Sequence, residues 1–302
     1  MEMNNNSYKV AGIVTYNPEL DRFESNINAI CPQCDKVIVF DNGSNNFEAI
    51  SNLTRRFDNV QLIDGKENKG IGYALNFIVE QAKNLGAEWV LLLDQDSIAP
   101  DKMIDSLEKY TNDKNVAIVA ARITDDNRSD NEARIDLEET EEIGIAITSG
   151  SYININIWES IGRFREDFFI DAVDSEYCIR AFFEGYKVLK ANRVVIRHEI
   201  GKAVKTKLAY VSNHNAMRRY HIARNNTYMA YKYQKKLNSS FEKTRRAEVA
   251  KFLEKLVLKR TNIIRQFKFM ILVLLYEKDK FHKINAIVKG MSDGRKIAIK
   301  EI

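Results

Sequence analysis

Short β-branched runs and amphipathic stretches alternate through the first half of the chain. Tyr8–Thr15, Lys36–Phe40, Val60–Ile63, Trp89–Leu93 and Val116–Ala120 read as strands, and the segments near 19–30, 45–57, 71–85 and 101–110 carry helical spacing. This β-α-β-α series predicts an α/β fold with a mostly parallel sheet covered by helices on both faces. In such sheets ligands bind beyond the carboxyl ends of the strands, so function should be sought in the residues just after each strand. Further on, Ile143–Thr148 reads as another strand, Asp174–Gly185 as a helix, and Lys187–Arg197 as an extended pair of segments leading to His198. Residues 124–142 are polar, acidic and aperiodic, which predicts a surface loop beside the site. After residue 210 the pattern is helical almost throughout, giving a sheet domain over 1–210 and a helical region over 211–302.

Charge sharpens this division. Residues 1–200 hold 21 Lys and Arg against 35 Asp and Glu, a net of −14, while residues 201–302 hold 25 against 7, a net of +18. The C-terminal third is therefore expected to face something anionic, such as a phospholipid surface or a lipid-linked diphosphate, or else to be a solvated basic surface. The acidic first two-thirds argues against a nucleic-acid binder. Met1 to Ser7 is polar and lacks the layout of a signal peptide, so a cytoplasmic protein is expected. Cys31 and Cys34 form a C-x-x-C that precedes a strand and has no second ligand pair, which points to ordinary thiols rather than zinc or redox chemistry.

Candidate chemistry gathers at the strand ends. Thr15-Tyr16-Asn17-Pro18 ends the first strand and Asp41-Asn42-Gly43-Ser44 the second, two polar turns suited to a nucleoside, with Asp41 able to accept from a base or ribose. Asn68-Lys69-Gly70-Ile71-Gly72 through Asn76 comes after the third strand and opens a helix, where glycines allow a polar ligand to approach. Asn76 stands where a dinucleotide fingerprint needs its third glycine, which argues against a dehydrogenase. The buried run Trp89 to Leu93 leads directly into Asp94-Gln95-Asp96-Ser97. Two carboxylates on one turn suit Mg²⁺ or Mn²⁺ shared with a diphosphate, although Asp94 capping a helix that starts near Pro100 explains part of the same pattern. Asp171 and Asp174 lie among aromatic and apolar residues, where shielding from water makes a carboxylate a better base, and Asp174 is the candidate. His198 is a candidate third metal ligand or diphosphate contact, and Arg224 a diphosphate contact, with Arg218 and Arg219 facing solvent or lipid.

Taken in order, TYNP at 15–18, DNGS at 41–44, NKGIGYALN at 68–76, LLLDQDS at 91–97, SGS at 149–151, FIDAVDSEYCIRA at 169–181, HEIG at 198–201 and ARNN at 223–226 resemble the family 2 glycosyltransferases, in their rhamnosyltransferase-like branch. The resemblance covers nearly the whole chain and implies a GT-A fold, with its Rossmann-like sheet. It implies that Thr15, Tyr16, Asn17, Asp41 and Asn42 hold the nucleoside and that Asp94 and Asp96 form the metal-diphosphate motif. It also implies that Asp174 is the general base of an inverting transfer. Asn68, Gly70, Gly72, Asn76, Gln95 and Arg224 are further candidates for the nucleotide sugar, and Ser149, Gly150 and Asp171 for the acceptor side. Val173-Asp174 replaces the Glu-Asp of many members, which leaves Asp171 as a rival base.

The implied donor is dTDP-rhamnose, with other dTDP- or UDP-sugars as alternatives, and the implied acceptor a lipid-linked precursor of a bacterial surface polysaccharide. A nucleotidyltransferase would show a basic glycine-rich loop where TYNP stands; a catalytically silent nucleotide or glycan binder would have little need of Asp96 and Asp174. The apolar run Phe269–Tyr276 is far shorter than the ~20 residues of a spanning helix. It fits peripheral attachment at the inner face of the cell membrane, and equally a buried helix of the core or of a homodimer.

Overall fold

The computed structural model describes residues 8–124, 138–197, 204–205, 210–211, 214–239, 246–261 and 263–301. By internal contacts the chain divides into two units: residues 1–167 with 177–199, and residues 168–176 with 200–302. The helical unit thus includes a nine-residue stretch that the linear pattern assigns to the sheet domain.

Within the first unit, the described strands are β1 (Val10–Thr15), β2 (Lys36–Asp41), β3 (Val60–Asp64), β4 (Trp89–Asp94), β5 (Val116–Thr124), β6 (Thr140–Glu142), β7 (Ser151–Asn154) and β8 (Lys187–Arg197). They form one sheet in the order β3-β2-β1-β4-β7-β5-β8-β6. β1 pairs in parallel with β2 and β4, β2 with β3, and β5 with β8, whereas β7 runs antiparallel between β4 and β5 and β6 antiparallel along β8. The helices are α1 (Leu20–Ile30), α2 (Phe47–Thr54), α3 (Ile71–Asn84), α4 (Met103–Glu108), α5 (Ile155–Ile161) and α6 (Val173–Phe183), the last extending into the second unit.

Both faces of the central strands are covered, so these strands read as continuous apolar runs rather than alternations. Ala11, Ile13, Val37, Val39, Leu91 and Leu93 pack against Phe23, Ile27 and Ile30 of α1 and Met103, Ile104 and Leu107 of α4. On the other face α3 lies close enough to β1 that a Cβ on Gly12 would collide with Ile78, and Phe40 packs edge-on to Tyr73. Ile143–Thr148 is not a strand. Its backbone is irregular, and Ala146 is buried with its N–H directed at the Cys178 sulfur of α6. The ladder is taken instead by Ser151–Asn154, after Gly150 turns the chain at φ 80°.

In the second unit the described helices are α7 (Ala216–Ser239), α8 (Ala247–Thr261), α9 (Ile263–Tyr276) and α10 (Lys280–Lys300). Asn215 caps α7, its side chain accepting from the Arg218 N–H at 2.8 Å. Two glycines one turn apart let α10 approach α7 closely, since a Cβ on Gly290 would strike the Tyr220 carbonyl and one on Gly294 the Arg224 carbonyl. Arg219, Glu277 and Lys283 form a buried charge cluster, with Lys283 Nζ 3.0 Å from Glu277. Among the described residues no helix is long and apolar enough to cross a membrane.

Candidate active site

In the first unit the carboxyl ends of β1, β2 and β4 bring together the predicted turns. Gln95 Oε1 accepts from the Tyr16 N–H at 2.8 Å, tying the β4 turn to the β1 turn. Asn17, at φ 48°, accepts from the Asn45 N–H through its side chain, and its own N–H donates to Ser44 Oγ at 2.7 Å. Asn42 donates to Asn68 Oδ1 at 3.1 Å and accepts from the Lys69 N–H, so the β2 and β3 turns share one wall. Asn68 Oδ1 also accepts from the N–H of Gly70, whose φ of 89° opens α3.

Asp41 has a different job from the open acceptor expected of it. It is fully buried, and its carboxylate accepts from Thr15 Oγ1 at 2.9 Å, from Ser44 Oγ at 2.5 Å, and from the N–H groups of Gly43 and Ser44. Four donors fill both oxygens, so Asp41 fastens the pocket wall. Asn76 likewise turns inward. Its amide nitrogen donates to the Phe164 carbonyl and Glu166, and its oxygen accepts from Trp158 Nε1 and the Phe164 N–H, which uses all four of its hydrogen-bonding positions. Gly72 serves the same packing, because a Cβ there would sit 2.5 Å from the Arg165 carbonyl. Both residues anchor the 158–166 segment, and the Asn76 side chain has no hydrogen-bonding position left for a ligand.

The β4 turn is held from below. Asn26, buried in α1, donates to the Asp94 carbonyl at 2.7 Å, and the Ser97 N–H donates to the same carbonyl at 3.2 Å. Ser149 is fully buried, donates to Ser97 Oγ at 2.6 Å and accepts a long bond from the Asp94 N–H. Gly150 donates to the Leu92 carbonyl and is crowded by Ile196. Ser149 and Gly150 therefore brace the turn and do not face an acceptor. Nor does Asp94 cap a helix: α4 begins at Met103 behind Lys102, with no side-chain cap. Asp94 and Asp96 are both half-buried, and among the described residues the Asp96 carboxylate has no hydrogen-bond or ion-pair partner.

No group of three potential ligands stands together among the described residues. Two hard carboxylates on one braced turn nevertheless fit Mg²⁺ or Mn²⁺, which typically take one or two carboxylates together with substrate phosphates. His198 lies outside the described residues.

In the second unit, Asp174 is half-buried in the first turn of α6, where Oδ1 accepts from the Ser175 N–H at 2.6 Å. Asp171, the rival base and expected acceptor contact, is engaged within the protein instead. Both its oxygens are held by Arg218, Nε and Nη2 each at 3.0 Å, so Arg218 does not simply face solvent or lipid. Arg219 is buried against Glu277. Arg224 Nε donates to Asn225 Oδ1, and its guanidinium lies over Phe168 and Tyr220. The linear pattern gave no role to Asn26, Ser97 or Asn225. Asn26 carried a signal: it is a polar residue on the apolar stripe formed by Phe23, Ile27 and Ile30.

A mostly parallel sheet with an acidic turn beyond the carboxyl end of its fourth strand has its ligand site at that edge. The family model of glycosyl transferase family 2 matches residues 11–183, and the chain belongs to that family; it is a glycosyltransferase. It is similar to the dTDP-rhamnosyl transferase RfbF of Shigella flexneri, with 31% identity over 238 residues, 74% of this chain and 79% of that protein. Among solved structures it is similar to S. aureus TarS in complex with UDP-GlcNAc, at a TM-score of 0.61 and 14% identity, covering 97% of this chain and 84% of that one. GalNAc-T7 with UDP, GalNAc and Mn²⁺ gives a TM-score of 0.58 at 12% identity over 89% of this chain, which spans 58% of that structure. The structural likenesses establish the GT-A fold.

Proposed function

We propose that the enzyme transfers L-rhamnose with inversion from dTDP-rhamnose to a hydroxyl of a lipid-linked precursor of a bacterial surface polysaccharide. The donor assignment is supported by the similarity to the Shigella rhamnosyl transferase across 74% of the chain. The observation that carries the chemistry is the Asp94-Gln95-Asp96 turn, braced through its backbone while the Asp96 carboxylate has no protein partner among the described residues.

In this reading the turns at 15–17 and 41–44 frame the nucleoside, Asn42 and Asn68 fix the wall beside it, and Arg224 is assigned to the diphosphate. Asp94 and Asp96, with His198 as a candidate third ligand, would hold Mg²⁺ or Mn²⁺, which supplies charge neutralisation for the departing diphosphate. Asp174 takes the proton of the acceptor hydroxyl as its oxygen forms a bond to the anomeric carbon from the face opposite the leaving group. The bond from that carbon to the diphosphate oxygen breaks with its electron pair, and dTDP departs.

Peripheral attachment to an anionic lipid surface belongs to the same reading. Ile271, Leu274 and Leu275 are exposed at i, i+3 and i+4 along α9, Phe281 is 84% exposed in the first turn of α10, and Lys278 and Lys280 lie between them in sequence.

Turnover tests the assignment. Purified enzyme with Mg²⁺ or Mn²⁺ should release dTDP from dTDP-rhamnose slowly alone and faster with a glycan-lipid acceptor. Asp174→Asn should lower transfer by about 10²–10⁴-fold with donor binding retained. Equal turnover with UDP-glucose would remove the rhamnose assignment, and lost donor binding in Asp174→Asn would remove its role as base.

A further inference from the structure

Residues 168–172, which lead into the first turn of α6, have an unusual backbone. Phe169, Asp171 and Ala172 all adopt positive φ, at 58°, 64° and 65°, a region that non-glycine residues avoid unless their surroundings hold them there. The holding groups come from one face of α7. Arg218 grips both oxygens of Asp171 at 3.0 Å. His221, one turn on, stacks its ring on Phe169 with centroids 5.0 Å apart and planes 21° from parallel. Asn225, a further turn on and fully buried, directs its amide nitrogen at the carbonyls of Phe168, Ile170 and Asp171 at 3.0, 2.9 and 2.8 Å. The spacing i, i+3, i+7 puts these three side chains on a single stripe of the helix.

Such an investment is out of proportion to a five-residue loop unless the direction in which α6 leaves it matters. Two residues after the last strained position comes Asp174, whose Oδ1 is held by the Ser175 N–H. A left-handed residue relaxing to ordinary dihedrals would swing the start of α6, and a carboxylate displaced by about 1 Å loses on the order of 10²-fold in rate.

We propose that Arg218 and Asn225 are positioning residues for Asp174, acting through the strained loop that α7 clamps. The inference rests on the reading of Asp174 as the base and adds to it that helix α7 sets the base's aim. The bidentate fork is the part a lysine cannot reproduce, because an ammonium offers a point charge rather than two parallel donors.

The test compares Arg218→Gln, Arg218→Lys, Asn225→Ala and Asp174→Asn in the full-length enzyme, measuring kcat, KM for dTDP-rhamnose and the thermal midpoint. The side chain of Arg218 is partly exposed, so Arg218→Gln should fold, and Asn225→Ala gives a second, independent lesion in the loop. Arg218→Gln should lose about 10- to 100-fold in kcat with donor KM unchanged, and Arg218→Lys should recover part of that loss. Wild-type kcat in Arg218→Gln, or a fall in kcat matched by weaker donor binding and a lowered midpoint, overturns the positioning role while an inactive Asp174→Asn leaves the base in place. Wild-type transfer by Asp174→Asn overturns the base itself, and this inference with it.

Discussion

At the end of β4 the carboxylates stand on a turn that other groups hold in shape, whereas Asp171 and Glu277 in the helical unit are themselves fasteners. Asn26, Ser97 and Ser149 secure the backbone around Asp94, and the Asp96 carboxylate has no partner among the described residues. Asp171 and Glu277, by contrast, are engaged by Arg218 and by Arg219 with Lys283. Local sequence treats these acidic residues alike, since each ends or interrupts an apolar run. What separates a ligand-binding carboxylate from a structural one is the set of donors the fold brings to it, and that difference can be broken experimentally from either side.

The largest effect is expected at the rim. Asp96→Asn should cost about 10²–10³-fold in transfer, the scale of removing one preorganised electrostatic group, because it leaves the bracing of the turn intact. Its stability to urea should stay within about 0.5 kcal/mol of wild type, as expected where no pairing with a described residue is lost. A large stability loss would make Asp96 a fastener too, and the contrast between the two regions would vanish.

The reverse pattern is expected at Glu277. Glu277→Gln removes the carboxylate that two buried cations share and should destabilise the protein by about 3–5 kcal/mol in a urea titration. Unchanged stability would mean that the cluster contributes nothing net.

Between these regions, the legible part of the fold was the part carried by local pattern. The parallel strands, the helices between them and the acidic turn were all readable because their apolar runs are continuous and end in turn residues. Antiparallel β7 was not, because the preceding segment 143–148 has as good a strand pattern and is diverted by packing against Cys178. The site was legible in the same measure. Asp94, Gln95 and Asp96 sit where the pattern predicts, at the sheet's carboxyl edge, but local pattern predicts Asn76, Ser149 and Asp171 as ligand contacts, whereas their partners lie 88, 52 and 47 residues away. Inward or outward orientation of a polar side chain depends on such distant partners, and no local spacing encodes it.

A smaller effect probes the clamp by pH. Burial, reinforced by the Arg224 cation and opposed by Asp171, pulls the His221 pKa below the ordinary imidazole value. The unfolded chain therefore takes up the proton first, so stability is complete above about pH 6.5 and declines as the pH falls from there toward the folded value. Wild type should lose urea stability more steeply than His221→Phe between about pH 7.5 and 5.5. Parallel slopes would show that His221 titrates alike in both states.

Calorimetric titration of dTDP into wild type and Asp96→Asn, with Mn²⁺ and with chelator, bears most directly on the acidic rim as the seat of the donor's diphosphate. Wild type should bind at least about tenfold more tightly with Mn²⁺, a difference of about 1.4 kcal/mol, and Asp96→Asn should lose that increment while keeping the metal-free affinity. An equal Mn²⁺ enhancement in both proteins would contradict it.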